Sequence, residues 1–190
     1  MFKREPDIST KYQELDFISL DEMRLGLKTD LGKKITLRGV KPIGKHQHLF
    51  LHQYLSGAIS LCSGAHWMLQ QDACNGVFFE ELLYAISKSK PEVLKILLLD
   101  NGSFYKNKNL VIPDNIRLIF LPPYSPELNP IERFWQEIRR FLKNKVFACI
   151  DDLMNETKRF LDQCTPEFCR SVVGYHFYDK VLAILNMANK

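Results

Sequence analysis

The spacing of apolar residues along the chain predicts five β-strands, with one helix between the third and the fourth. Short apolar stretches bounded by turn residues mark strands at residues 15–20, 48–61, 66–71, 93–99 and 115–121. The run at 93–99 is apolar without alternation, which is typical of a central strand covered on both faces. Residues 75–88 repeat apolar positions at helical spacing, with Asn75 as a candidate N-cap.

The C-terminal third of the chain has helical periodicity. Its strongest signal lies at residues 130–145, after a stretch with four prolines, where apolar residues recur every three or four positions. Three shorter helices are predicted at residues 151–161, 166–173 and 178–187. This order of elements predicts an α/β fold in which helices pack on a mixed sheet. We expect an irregular segment at 1–14, the sheet domain at 15–147 and a helical extension packed on it at 148–190.

Length and composition fit one globular domain. The chain has 190 residues, of which 46% are apolar and 25% charged, so disordered and fibrous classes are excluded. The five cysteines include no C-x-x-C pair, which favours reduced thiols. No apolar run approaches the ~20 residues of a membrane span, and the charged N-terminus does not resemble a secretory signal. We expect a cytoplasmic protein without a membrane partner.

Positive charge is concentrated in one segment. The net charge is only +4, but residues 24–45 contain seven basic residues and one acidic residue. Such a segment is suited to phosphate groups, although a solvated basic hairpin has the same pattern. Two arginines near the end of the long predicted helix are further candidates, and the helix dipole offers another explanation for them. The candidate DNA-binding residues are Lys28, Lys33, Lys34, Arg38, Lys41, Lys45, Arg139 and Arg140.

Three acidic residues occupy positions where a sheet edge places ligands. Asp21 follows the first predicted strand, Asp100 follows the fourth, and Glu132 begins the long helix. If the two strands are parallel neighbours, both aspartates emerge at the same edge. Three converging carboxylates repel one another unless a cation neutralises them, and oxygen ligands select Mg²⁺ or Mn²⁺. Two such ions would activate an attacking oxygen and stabilise a leaving oxygen in phosphoryl transfer.

Each acid also has a simpler interpretation that the sequence leaves open. Asp100-Asn-Gly is a turn signature, and Asp21 with Glu22 is compatible with an ordinary exit from a strand. Asn129-Pro-Ile-Glu132 is close to a capping box, in which Glu132 would only satisfy the first N–H groups of the helix.

One stretch of sequence resembles a known family. Residues 121–135 read Leu-Pro-Pro-Tyr-Ser-Pro-Glu-Leu-Asn-Pro-Ile-Glu-Arg-Phe-Trp, and they follow Asp100-Asn-Gly after a hydrophobic strand. Together with the Asp21-Glu22 pair, this resembles the DDE-type transposases of the mariner superfamily, especially the bacterial insertion-sequence branch. The resemblance covers about residues 15 to 145. Between Asp100 and Glu132 lie 31 residues, slightly fewer than the family commonly has.

The resemblance implies an RNase H-like mixed five-stranded sheet with Asp21, Asp100 and Glu132 as the catalytic acids. It also implies two bound Mg²⁺ or Mn²⁺ ions, with DNA cleavage and strand transfer at insertion-sequence ends by a homodimer on double-stranded DNA. Family members carry helix-turn-helix modules before this domain, and only about 14 residues precede the first predicted strand. A separate polypeptide would supply that module, or the chain is a silent remnant active only in DNA binding or oligomerisation. Another RNase H-like nuclease is a third alternative.

Overall fold

The computed structural model describes residues 11–12, 14–29, 35–41, 43, 47–72, 76–102, 105, 110–174, 178 and 180. Its centre is a five-stranded sheet in the order β3-β2-β1-β4-β5. The first three strands form an antiparallel meander, and β4 and β5 run parallel to β1. The strands are β1 (Glu14–Gly26), β2 (His52–Ser60), β3 (His66–Gln71), β4 (Val93–Leu99) and β5 (Ile116–Phe120). The predicted mixed sheet of five strands is confirmed.

Among the described residues, four complete α-helices cover the two faces of the sheet. They are α1 (Gly76–Ser89), α2 (Ile131–Leu142), α3 (Ile150–Leu161) and α4 (Pro166–Val173). Helix α1 connects β3 to β4 and packs on one face, while α2, α3 and α4 share a hydrophobic core on the other. Because side chains alternate along a strand, β1 serves both cores. Ile18 and Leu20 face α1, whereas Phe17 and Met23 face α2.

Strand β1 is longer than predicted. The prediction ended at residue 20, but the strand continues to Gly26 and Asp21 lies inside it. Polar residues at 22 and 24 alternate with Met23 and Leu25, whose side chains are buried on the α2 face. The expectation that Asp21 stands just after a strand is therefore wrong. Apolar residues predominate up to Leu20 and alternate with polar residues beyond it, so Asp21 and Glu22 mark a change of pattern within β1 and not its end.

The other boundaries differ from the predictions by a few residues at most. Strands β3 and β4 and helix α4 have the predicted limits, β2 begins four residues late, and α2 ends at Leu142 instead of residue 145. Asn144, with a φ of 62°, lies in the turn that follows α2. The N-cap predicted at Asn75 lies outside the described residues. Of the helix predicted at 178–187 only residues 178 and 180 are described, and both are helical.

Other expectations from the sequence concern domain limits, cysteines and membrane spans. The domain limits stay predictions, although α3 and α4 share one core with α2 and the sheet. The four cysteines among the described residues form no disulfide. Within the same part of the chain, none of the helices has the length and apolar character needed to cross a membrane.

Candidate active site

The sheet register brings Asp21 and Asp100 next to each other. Strands β1 and β4 pair in parallel up to Ser19 opposite Leu98, so Asp21 and Asp100, each two residues further along the chain, lie at the same end of this strand pair. Helix α2 then places Glu132 near the same sheet edge. The three acids line one cleft of about 450 Å³, whose remaining walls are Asn101, Gly102, Asn129 and residues 121–126. The predicted convergence of Asp21, Asp100 and Glu132 on one site is thus a feature of the structure.

The carboxyl group of Asp21 is the one most affected by this environment. Burial raises the pKa of Asp21 to about 7, and repulsion from Glu132 and Asp100 acts in the same direction. Hydrogen bonds from the backbone of Glu22 and from the indole of Trp135 act in the opposite direction. Glu132 and Asp100 therefore lie near enough to affect the ionisation of Asp21.

Trp135 reaches Asp21 from α2 across the face of the sheet. Its Nε1–H donates a hydrogen bond of 3.1 Å to Oδ2 of Asp21. The ring occupies the space above Gly57, which pairs with Asp21 on β2, and a Cβ at position 57 would overlap the ring. The sequence predicted Trp135 as part of an apolar stripe, and it is buried as expected. Its polar edge and the need for glycine at position 57 were not predicted.

A buried polar network fixes the start of α2, and with it Glu132. Asn129 donates from Nδ2 to the carbonyl of Leu20 at 3.0 Å, and its Oδ1 accepts a hydrogen bond from the hydroxyl of Ser19. The same hydroxyl oxygen accepts the backbone N–H of Ile131 at 2.9 Å. These contacts attach the first turn of α2 to the central strand directly beside Asp21.

The capping-box interpretation of Glu132 is wrong. Pro130 is the N-cap of α2 and makes no side-chain capping hydrogen bond, and the first N–H of the helix, that of Ile131, is bonded by Ser19 of β1. Asn129 uses its amide on β1 instead, because its side chain is buried against Ser19 and Leu20. Glu132 is half-buried and lies on the cleft wall. Tertiary contacts therefore determine the roles of both residues.

Asp100 combines a local turn with a position in the cleft. Its Oδ1 accepts the backbone N–H of Gly102 at 2.8 Å, so the predicted turn is present. The neighbouring Asn101 donates from its amide to the carbonyl of Leu121 and joins this turn to the proline-rich segment 121–126. Asp100 itself is exposed. The turn and the site are compatible, since the turn presents the carboxylate at the end of β4.

Glu22 forms a second acidic site on the opposite face of the sheet. Tyr105 donates its hydroxyl hydrogen to the Glu22 carboxylate, with O–O distances of 2.7 and 2.6 Å to the two oxygens. Burial raises the pKa of Glu22 to about 7, and the hydrogen bond from Tyr105 opposes this effect. The Tyr105 ring packs edge-on against Phe79 of α1. The sequence analysis did not predict this pair. Its only signal is the alternation of side chains along a strand, which points Glu22 to the face opposite Asp21.

The carboxylates of the cleft have the donor chemistry of a divalent-cation site. Their oxygens are the hard ligands that Mg²⁺ and Mn²⁺ prefer, and their mutual repulsion is the kind that a cation relieves. In the described part of the chain, no group of three His, Cys, Asp or Glu side chains is arranged to hold a metal ion. Mg²⁺ commonly binds one or two carboxylates and completes its shell with water and substrate phosphate, so the donor set fits such an ion.

Two of the predicted DNA-binding residues meet in a second pocket. Lys28 and Arg139 line a cavity of about 400 Å³ with Arg24, His52 and Lys145. Arg139 is seven residues after Glu132, nearly two helical turns, and lies about 10 Å further along the same face of α2. The pocket is lined by apolar residues as well, among them the buried Met23, Leu25 and Leu142. A basic patch therefore begins about two turns from the acidic cleft.

The remaining basic candidates are spread over the surface or lie outside the described residues. Arg38 and Lys41 are exposed in the segment 35–41. Arg140 forms an ion pair with Glu137 at 2.6 Å, which satisfies part of its charge within the helix. Lys33, Lys34 and Lys45 fall outside the described residues, so the basic segment is only partly placed.

The family of the chain follows from its sequence. A model of the DDE superfamily endonucleases matches residues 16–154. The chain belongs to this family. The DDE-type family that residues 121–135 indicated is thus confirmed.

Two curated proteins are similar in sequence to this DDE endonuclease domain. The uncharacterised protein y4pE/y4sA of Sinorhizobium fredii is 37% identical over 103 residues, which cover 53% of this chain and 76% of that protein. The uncharacterised 39 kDa protein of insertion element IS630 from Shigella sonnei is 24% identical over 156 residues, which cover 77% of this chain and 44% of that protein. The chain thus spans less than half the length of the IS630 protein.

The fold of the DDE domain is that of the Mos1 transposase. The Mos1 mariner paired-end complex with Mn has a TM-score of 0.66 at 15% identity, over 91% of this chain and 55% of the Mos1 chain. The Mos1 strand transfer complex has a TM-score of 0.63 at 13% identity, over 91% and 54%. The predicted RNase H-like fold is confirmed. Just over half of the Mos1 chain is matched.

Proposed function

We propose that this chain is the catalytic domain of a DNA transposase, which cleaves phosphodiester bonds at insertion-sequence ends and joins the freed 3′ end to target DNA. Asp21, Asp100 and Glu132 are its catalytic acids. The observation that carries the proposal is the single cleft that these three acids line, although β1, the turn after β4 and α2 that carry them are far apart in sequence. Family membership supports an endonuclease, and the motif at 121–135 favours transposition over other nucleic-acid cleavage.

Divalent ions would be held by Asp21, Asp100 and Glu132. When bound, Mg²⁺ or Mn²⁺ supplies Lewis-acid stabilisation of the attacking and leaving oxygens of an in-line displacement. The Mos1 paired-end complexes with Mn and with Mg support this choice of ion. Asp21 contributes best as a carboxylate, and because burial raises its pKa to about 7, neighbouring positive charge has a large effect on its ionisation.

The residues of this chain orient the acids and attract the substrate. Trp135 fixes the carboxylate of Asp21, and the Ser19–Asn129 network fixes the first turn of α2 that carries Glu132. Lys28 and Arg139 would contact phosphates beyond the cleft, since each neutralised phosphate adds salt-dependent affinity and aligns the duplex. Neither contact reads base sequence, so the domain alone would bind DNA with little specificity.

Recognition of specific element ends is assigned to a helix-turn-helix module supplied by a separate polypeptide. The chain spans 44% of the IS630 protein and 54–55% of the Mos1 chains, which leaves room in those proteins for further modules. The Mos1 structures are described as paired-end and strand transfer complexes. We extend this to the present chain as a homodimer that holds two DNA ends.

Mn²⁺-dependent nicking and joining of a supercoiled plasmid and of a duplex carrying the parent element's ends tests the proposal. Asp100→Asn should reduce both reactions at least a hundredfold, because it removes one acid from the cleft. Asp114→Asn is the matched control, since Asp114 is an exposed aspartate outside the cleft. Activity of the Asp100 variant equal to that of wild type would contradict the assignment of the acids. Gain of end-specific cleavage on addition of a helix-turn-helix polypeptide would support the separate-module proposal.

A catalytically silent remnant is the second candidate function. It is favoured by the basic pocket that contains Lys28 and Arg139, which would hold phosphates whether or not the acids of the cleft are active. Such a remnant binds DNA through its basic residues, shows no Mn²⁺-dependent cleavage with or without a helix-turn-helix polypeptide, and binds equally well after Asp100→Asn. The nicking assay and a binding measurement on the same two proteins distinguish the two candidates.

A further inference from the structure

Tyr124 occupies an unusual position at the rim of the acidic cleft. Its side chain is fully exposed, at 102% of its reference area, and it lines the cleft beside the three acids. Its φ is 59°, in the left-handed region that non-glycine residues seldom adopt. Asn144 is the other non-glycine residue with positive φ among those described, and asparagine tolerates this conformation far better than tyrosine.

The segment around Tyr124 holds this conformation in place. Two prolines precede it, and a proline followed by a residue with positive φ is typical of a type II turn, where glycine or asparagine is the usual second central residue. On one side, the N–H of Leu121 donates to Leu99 at 2.8 Å. On the other, the N–H of Leu128 donates to Ser125 at 3.1 Å. The tyrosine is therefore presented from a turn that is bonded to β4 on one side and leads into the short 3₁₀-helix Pro126–Leu128 on the other.

The exposed ring contributes nothing to the hydrophobic cores, so fold stability does not explain it. Strained backbone persists where the surrounding structure enforces it, and such sites cluster at ligand-binding positions. An aromatic face beside carboxylates is unsuited to holding a phosphate directly. It is suited to a nucleobase, because every base has a π-face that stacks on an aromatic side chain.

We propose that Tyr124 stacks on an unpaired base next to the phosphodiester bound in the acidic cleft. This inference rests on the proposed function. Bases inside a duplex have both faces occupied by their neighbours, so the ring selects a base at a strand end or one turned out of the helix. The site thus favours frayed or overhanging ends over continuous duplex.

The proposal is tested with the full chain and two duplexes in Ca²⁺, one blunt and one with a short single-stranded overhang that carries 2-aminopurine. Wild type should bind the overhang duplex about tenfold more tightly and quench the 2-aminopurine fluorescence. Tyr124→Ala should lose both effects, while Tyr124→Phe, which keeps the ring, should stay within about twofold of wild type. Tyr84→Ala is the matched control, because Tyr84 is an exposed tyrosine of α1 outside the cleft.

A thermal melt separates ligand binding from a structural role. Tyr124→Gly should melt at or above the temperature of wild type, because glycine adopts positive φ without strain, and it should still lose the overhang preference. A lower melting temperature for this variant, or an unchanged overhang preference in Tyr124→Ala, would overturn the proposal. If wild type neither binds nor cleaves either duplex, the proposed transposase function fails instead, and the two failures are distinguishable.

Discussion

Trp135 and Asp21 are joined by a hydrogen bond of 3.1 Å from the indole N–H to the carboxylate. The bond connects α2, which carries Glu132, to the central strand, which carries Asp21. A donor to a carboxylate favours its ionised form, so the indole opposes the burial that raises the pKa of Asp21 to about 7. One side chain thus influences both the geometry and the ionisation of the cleft.

Trp135→Phe should shift the acid limb of the pH–rate profile upwards by about 1 pH unit, because a hydrogen bond to the charged carboxylate is lost. Mn²⁺ affinity at pH 7 should fall in parallel, since less of Asp21 is ionised. Both are measured by nicking assays and Mn²⁺ titrations from pH 6 to 9. Trp67→Phe is the control, because Trp67 packs on the α1 core. Identical pH profiles for wild type and Trp135→Phe would contradict this role.

Gly57→Ala should destabilise the protein by about 1 to 3 kcal/mol, because its methyl group would overlap the Trp135 ring and press on the sulfur of Met68. The double variant Gly57→Ala with Trp135→Phe should recover part of this loss, since phenylalanine lacks the two ring carbons involved. Urea unfolding of the four proteins gives the coupling free energy. Strict additivity of the two single changes would show that position 57 does not constrain the indole.

Asn129→Leu should lower stability by about 2 kcal/mol and also reduce cleavage by the folded protein. The change leaves the buried carbonyl of Leu20 and the hydroxyl of Ser19 without their partner. Asn115→Leu is a matched control, because Asn115 is also buried and bonds Ser87 and Pro91 away from the cleft. We expect comparable loss of stability there with normal activity. Equal loss of activity in both variants would contradict a positioning role for Asn129.

Without divalent ions, the protein should become less stable as pH rises from about 4 to about 7. The pKa of Asp21 in the folded state, about 7, lies above its ordinary value of 3.8, so the folded state binds more protons in this window. Asp21→Asn should remove part of the decline and be more stable than wild type at pH 8, by about 2 kcal/mol. Urea unfolding at fixed pH values measures this.

Mn²⁺ should reverse the loss of stability at high pH in wild type. An ion that binds only the folded state stabilises it by mass action, and this requires ionised carboxylates. The gain should be smaller in Asp21→Asn. An equal rise in melting temperature for both proteins on addition of Mn²⁺ would place the ion elsewhere.

Several elements were predictable because their signals are local. The run of β4, apolar except for Lys95, and the proline that begins α4 predicted the observed limits, since strand length and helix starts depend on neighbouring residues. The three acids were also identified from sequence, through apolar strands and the motif at residues 121–135. The extension of β1 beyond Asp21 was missed, because burial by α2 compensates for the polar residues at positions 22 and 24.

The sequence by itself determined the family, the class of fold and the three candidate catalytic acids, because all of these depend on residue type and spacing along the chain. Only the tertiary structure decided how those residues meet. The parallel register of β1 and β4 brings Asp100 and Asp21 to the same end of the strand pair. The side chain of Asn129, which the sequence predicted as a helix cap, accepts a hydrogen bond from Ser19 instead. Contacts between residues about a hundred positions apart leave no local pattern, since each partner satisfies its polar groups only after the sheet and α2 have packed.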